Sequence, residues 1–183
     1  MRNVVLGPVL VMLAVAGCAS PQAPAIASSP TPTGVSITQE LGSGEYPLDL
    51  APTGAIRLTG GEYAGTSAPG SATKLMVRLT DAVATGDLNG DGLDDAAVVL
   101  LVDPGGSGTF SYLAAALNKD GGYHGVASAL LGDRIEVKSV EIHDGAIEVT
   151  MLDRAPGQPM ASPPTLETTR TFQLRGSQLV QVP

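Results

Sequence analysis

Turn-forming residues cut this chain into short pieces, and that punctuation constrains its fold more than any other feature. Gly60-Gly61, Asp103-Pro104-Gly105-Gly106-Ser107-Gly108, Asp120-Gly121-Gly122, Asp144-Gly145 and Arg175-Gly176-Ser177 each follow an apolar or β-branched run. With 23 Gly and 14 Pro in 183 residues, long helices are disfavoured. Turns at this spacing predict a mainly β protein. The expected fold is one antiparallel β-domain, a meander, sandwich or open barrel of about eight or nine strands.

The pieces between the turns carry strand patterns. Ala55–Thr59 is a short apolar run. In Lys74–Leu79, Leu75, Val77 and Leu79 share one face and Lys74 and Arg78 the other, as in a half-buried strand. Asp95–Val102 is apolar without alternation and rich in Val, which predicts a central strand covered on both faces. Residues 109–119, TFSYLAAALNK, are ambiguous: Ala and Leu favour helix, while Thr, Phe, Tyr and the short Gly-rich link before them favour a hairpin partner. We read them as strand. Tyr123–Leu131 follows as another.

Residues 134–152 give the clearest hairpin. Asp144-Gly145 is a preferred type I′ turn. It pairs His143 with Ala146, Ile142 with Ile147, Glu141 with Glu148 and Val140 with Val149. Ile135 and Val137 join Val140 and Ile142 on one face only if a β-bulge slips the phase near Lys138-Ser139. The opposed glutamates are unfavourable unless a neighbouring cation relieves them. A Pro-rich loop, Arg154–Pro164, leads to a last hairpin of Thr168–Leu174 and Gln178–Val182.

Composition excludes some functions. The formal charge is −8, and losing Arg2 leaves nine basic against 18 acidic side chains, or −9. An acidic domain without a basic cluster is repelled by nucleic acid and by anionic lipid surfaces. There is no Trp, so aliphatic residues must fill the core.

The N-terminus sets the compartment. MRNVVLGPVLVMLAVAGC has one positive charge and an apolar stretch, Val4–Ala16, too short to span a bilayer. It ends in Val15-Ala16-Gly17-Cys18, which resembles the lipobox of bacterial lipoproteins. The resemblance implies a signal peptide at 1–17 and a lipid anchor on Cys18, the only cysteine in the chain. The expected location is a bacterial cell membrane or outer membrane, on its extracytoplasmic side. Residues 18–44 are rich in Pro, Ser and Ala and predict a flexible tether before a β-domain at 45–183.

Within that domain, GDLNGDGLDD at 86–95 stands out. Counting Asp87 as the first position, Asn89 and Asp91 fall at the third and fifth, Gly92 at the sixth, Leu93 at the seventh and Asp95 at the ninth. Calcium wants six to eight hard oxygen ligands, and this spacing offers alternate side chains, a sharp turn at Gly92 and an inward carbonyl at Leu93. The donors do not suit zinc. Val98 stands where an EF-hand needs its glutamate, and a strand pattern follows instead of a helix. The stretch resembles the calcium loop of FG-GAP and VCBS modules. That likeness implies Asp87, Asn89, Asp91, Leu93 and Asp95 as ligands of a structural Ca²⁺. The run of GDLNGDG-x-DDAAV, GGSGTF, YLAAALN, LGDR, a hairpin and PMASPP also resembles a group of small bacterial lipoproteins, a likeness that implies no particular activity.

Other chemistry is sparse. His124 and His143 are the only histidines. GGSGT lacks the lysine of a P-loop. Gly132-Asp133-Arg134 suggests an ion pair or an anion contact, and Glu141 with Glu148 a carboxylate pair. None forms a catalytic arrangement on sequence grounds. The expected role is therefore a binding or envelope-associated module with an unidentified protein or polysaccharide partner. The alternatives are an envelope-polymer hydrolase, or a structural protein that pairs through exposed β-edges.

Overall fold

A computed structural model describes residues 36–68 and 70–183. The expected signal peptide, Cys18 and most of the expected tether lie outside the described residues. The domain is mainly β and wholly antiparallel, as the turn spacing predicts.

The strands are β1 (Glu45–Pro47), β2 (Ala55–Arg57), β3 (Glu62–Thr66), β4 (Lys74–Gly86), β5 (Asp95–Asp103), β6 (Phe110–Lys119), β7 (Gly122–Asp133), β8 (Glu136–His143), β9 (Ala146–Asp153), β10 (Leu166–Arg175) and β11 (Gln178–Val182). These eleven exceed the eight or nine expected, because β1 and β3 carry too little apolar pattern to register as strands. One sheet runs β3-β4-β5-β6-β7 and a second runs β11-β10-β9-β8, with β1-β2 as a separate ribbon.

The five-stranded sheet is the middle layer. Ala96, Val98, Leu100 and Val102 of β5 pack on one face with Tyr46, Leu48, Ile56 and Leu58. Ala97 and Val99 pack on the other with Val140, Ile147, Val149, Met151 and Phe172 of the second sheet. Burial on both faces explains why β5 lacks alternation. It also settles residues 109–119. Ala114, Ala115 and Ala116 are fully buried in β6, between β5 and β7, and pairing on two sides outweighs the helical preference of an alanine run.

The β8–β9 hairpin has the expected register, including Glu141 opposite Glu148, and its ladder slips between Val137 and Ser139. Asp144 and Gly145 both have positive φ, 51° and 74°, as a type I′ turn requires.

Two features differ from the sequence reading. β4 continues to Gly86 through an irregularity between Leu79 and Val83, where Thr80 Oγ1 donates to the Val99 carbonyl at 3.0 Å. That break in alternation hides the second half of the strand. A helical turn, α1 (Ile37–Leu41), lies within the segment expected as tether. Leu41 is fully buried among Tyr46, Leu58 and their neighbours. So short a helix is not stable alone, and burying one Leu side chain contributes about 1.5–3 kcal/mol to holding it. The edge of β3 is capped at its first residue, where Thr59 exchanges both backbone bonds with Glu62.

Candidate functional site

The acidic loop joins the end of β4 to the start of β5, whose ladder closes with Gly86 opposite Asp95. Its entry is tight: a Cβ on Gly86 would stand 2.7 Å from Cγ2 of Ile142 in β8. The loop then coils around its own amides. Asp87 Oδ1 accepts from the Asn89 and Gly90 N–H at 3.2 and 2.6 Å, and Oδ2 from the Gly92 N–H at 2.9 Å. Asn89 Oδ1 accepts from the Asp91 N–H at 2.8 Å, and Asp91 Oδ1 from the Leu93 N–H at 2.8 Å. Asn89 Nδ2 also donates to Asp91 Oδ2 at 2.8 Å. Side chains that accept from the amide two residues on are the turn chemistry of Asp and Asn. Gly90 and Gly92 supply the positive φ values, 81° and 82°.

Asp95 behaves differently. It is fully buried, with Oδ2 accepting from the Leu88 N–H and Oδ1 from the Asn118 N–H, each at 2.9 Å. It ties the loop to β6. Leu88 anchors the other side by packing into the cluster between the two sheets.

The predicted ligands thus fall into two sets. Half-buried Asp87 and exposed Asn89 and Asp91 lie together on the coil, Leu93 is exposed beside them, and Asp95 is buried beneath. Among the described residues no three His, Cys, Asp or Glu side chains are gathered as a metal cluster. The donors themselves are all hard oxygens, as calcium requires. No Lys or Arg forms an ion pair with Asp87, Asp91, Asp94 or Asp95 among the described residues. The Gly92 amide, followed by Gly90, holds the Asp87 carboxyl below its ordinary value despite some desolvation, so it stays ionised.

The remaining candidates are spread over the domain. His143 Nε2 lies 2.9 Å from Glu141 Oε2 on an exposed hairpin face. This contact first, with Glu148 and Asp144 adding to it, raises the imidazole above its ordinary value. Where protonated, His143 is a cation beside the opposed glutamates. His124 lies elsewhere, in an open cavity of about 540 Å³ with Glu40, Glu45, Arg57 and Tyr123. Arg134 approaches Asp133 at 3.8 Å, and Asp133 Oδ1 accepts from the Thr109 N–H at 2.9 Å, which fastens the end of the GGSGT turn.

Sequence reasoning missed Arg154. Its Nη1 donates to the carbonyls of Asp133 and Arg134 at 3.2 and 3.0 Å, and its Nη2 to those of Met160 and Ser162 at 3.1 and 3.2 Å. This one guanidinium clasps the Pro-rich loop to the β7–β8 connection. Its Nε is buried with no partner among the described residues. A single arginine before a Pro-rich run gives no sequence signal for such reach.

No helix among the described residues is long and apolar enough to cross a membrane. Compared with known proteins, the chain matches no protein-family model, no curated protein and no solved structure.

Proposed function

We propose that this protein is a lipid-anchored extracytoplasmic lipoprotein of the bacterial envelope, whose β-domain is stabilised by Ca²⁺ and acts as a binding or envelope-associated module. The anchor is Cys18, in Val15-Ala16-Gly17-Cys18. The observation that carries the calcium reading is negative charge without a cationic partner. Asp87, Asp91, Asp94 and Asp95 crowd into nine residues with no cationic side chain paired to them among the described residues, and Asp95 is fully buried. Buried or crowded charge is ordinarily paired or bound to metal. Asp87, Asn89, Asp91, Asp95 and the Leu93 carbonyl would hold the ion. Carboxylate oxygens that accept one N–H keep a further lone pair for it.

The ion's effect would be structural. It would neutralise the loop and fix the junction of β4 and β5, the strands at the heart of the middle layer. The one imidazole–carboxylate contact among the described residues, His143–Glu141, stands on a solvent face, so the reading includes no catalytic step.

Calorimetric titration of the full chain in detergent with Ca²⁺ tests this, alongside melting curves. A chelator lowers the melting temperature of the wild type, and Asp91→Ala removes that sensitivity. Identical melting curves with and without chelator would refute the calcium role. Cys18→Ala moves the protein from the membrane fraction to the soluble one, and continued membrane association would refute the anchor.

A further inference from the structure

We infer that the groove along the outer edge of β11 receives an extended peptide, neutral or basic, as an added fifth strand of the β8–β11 sheet. This names a partner class for the binding module proposed above and rests on that reading.

The edge is open. β11 ends its sheet, paired only with β10. The two strands are joined by the two-residue turn Gly176-Ser177, with Arg175 opposite Gln178. The closing pair of such a hairpin exchanges both backbone bonds, and bonding then alternates along the ladder. Gln178, Val180 and Val182 therefore bond β10, while Leu179 and Gln181 turn their N–H and C=O groups outward. Those outward groups form none of the backbone bonds made beyond the ladders. Residues 177–181 line a groove of about 680 Å³ beside β7, and no ladder bonds join those groups to that strand. Edge β3 is occupied at its first residue, where Thr59 already bonds Glu62. Unpaired strand edges are where chains add by β-augmentation.

The groove selects its occupant. Its far lip is Pro47 and Asp49, at the β1–β2 turn, and its floor is Ser128 of β7. Five residues of β11 span roughly 16 Å of extended chain, at about 3.3 Å each. The lining is uncharged except for Asp49. That carboxylate is exposed and accepts from the Tyr112 hydroxyl through Oδ1 at 2.8 Å, which leaves Oδ2 for a cationic side chain. Two residues beyond Ser128 on the same face of β7, Leu130 is 50% exposed and offers an apolar contact. The excess of acidic over basic side chains excludes an acidic peptide.

The test is selection of a randomised heptapeptide display library on the full chain in detergent. Recovered peptides are then titrated against wild type, Gln181→Pro, Asp49→Asn and Met160→Ala. Gln181→Pro removes one outward donor at an edge where proline is tolerated, and its melting curve checks the fold. Asp49→Asn keeps the acceptor for Tyr112 but removes the charge. The expected result is enrichment of peptides with alternating side-chain pattern. They bind Gln181→Pro at least tenfold more weakly, bind Asp49→Asn several-fold more weakly when basic, and are unaffected by Met160→Ala. Bound peptide slows amide exchange at Leu179 and Gln181. No enrichment, or binding that survives Gln181→Pro with unchanged exchange at those amides, overturns the inference. So does a concentration-dependent dimer abolished by Gln181→Pro, which would make a second copy the occupant. None of these outcomes bears on the Ca²⁺ titration or on membrane partition, so failure here is separable from failure of the proposed function.

Discussion

The acidic loop at 87–95 and the Pro-rich loop at 154–165 are both irregular connections between antiparallel strands, yet they are held by opposite means. In the acidic loop almost every bond is local: Asp87, Asn89 and Asp91 each accept from an amide two to five residues on. In the Pro-rich loop the main tie is Arg154, which reaches carbonyls 6 to 21 residues away. The first loop carries its instructions in its own residue types. The second borrows its shape from a neighbouring connection. Local turn chemistry survives small changes elsewhere, whereas a long-range clasp depends on the rest of the fold.

The largest effect that sharpens this contrast comes from Asp95, whose side chain ties the acidic loop to a distant strand. Asp95→Ala leaves the Leu88 and Asn118 amides buried without acceptors and costs about 3 kcal/mol or more, measured by urea denaturation. A loss under about 1 kcal/mol would show that water replaces the carboxylate. Arg154→Ala comes next, at about 2 kcal/mol, since charge-assisted bonds to the Met160 and Ser162 carbonyls are lost together with those to Asp133 and Arg134. Limited proteolysis then cuts within 155–164, and an uncut loop would mean that the prolines suffice.

Two smaller effects appear in pH dependence. The Asp87 carboxyl is depressed below its ordinary value of 3.8 by loop amides. Its stabilising contribution is present above that ordinary value and lost as pH falls through the folded-state value. Asp87→Asn therefore flattens the acid limb of the stability curve. An unchanged limb would mean that the amide ladder does not favour the ionised form. His143 runs the other way. Its value is raised above 6.5 by Glu141, Glu148 and Asp144, so its contribution is complete below 6.5 and fades as pH rises through the folded-state value. His143→Gln removes that fading with little change at high pH, because the pair is exposed and weakly coupled. An NMR titration of the imidazole checks the direction of the shift.

Much of the fold is legible along the chain. Asp144-Gly145 dictates its hairpin down to the Glu141–Glu148 pair, and the lost alternation of Asp95–Val102 announces a strand buried on both faces. Patterns shorter than a few residues are not legible. β1 and β3 lack an apolar period, and Ile37–Leu41 is helical because Leu41 finds a pocket, a fact about Tyr46 and Leu58 and not about the helix. The irregularity of β4 between Leu79 and Val83 hides its second half for the same reason. The residues of the acidic loop were legible by type and spacing, but the split between the coil of Asp87, Asn89 and Asp91 and the fully buried Asp95 was not.

Sequence by itself determined the strand-and-turn grammar, the acidic charge and the carboxylate–amide character of the loop at 87–95. These depend on backbone preferences and on bonds between residues a few positions apart. Only the tertiary structure decided that two sheets and a small ribbon make three layers, that Arg154 clasps a distant loop, and that Thr59 caps the first residue of β3. Those outcomes depend on surfaces meeting across long stretches of chain, where burial and reach select among partners that local pattern leaves equivalent.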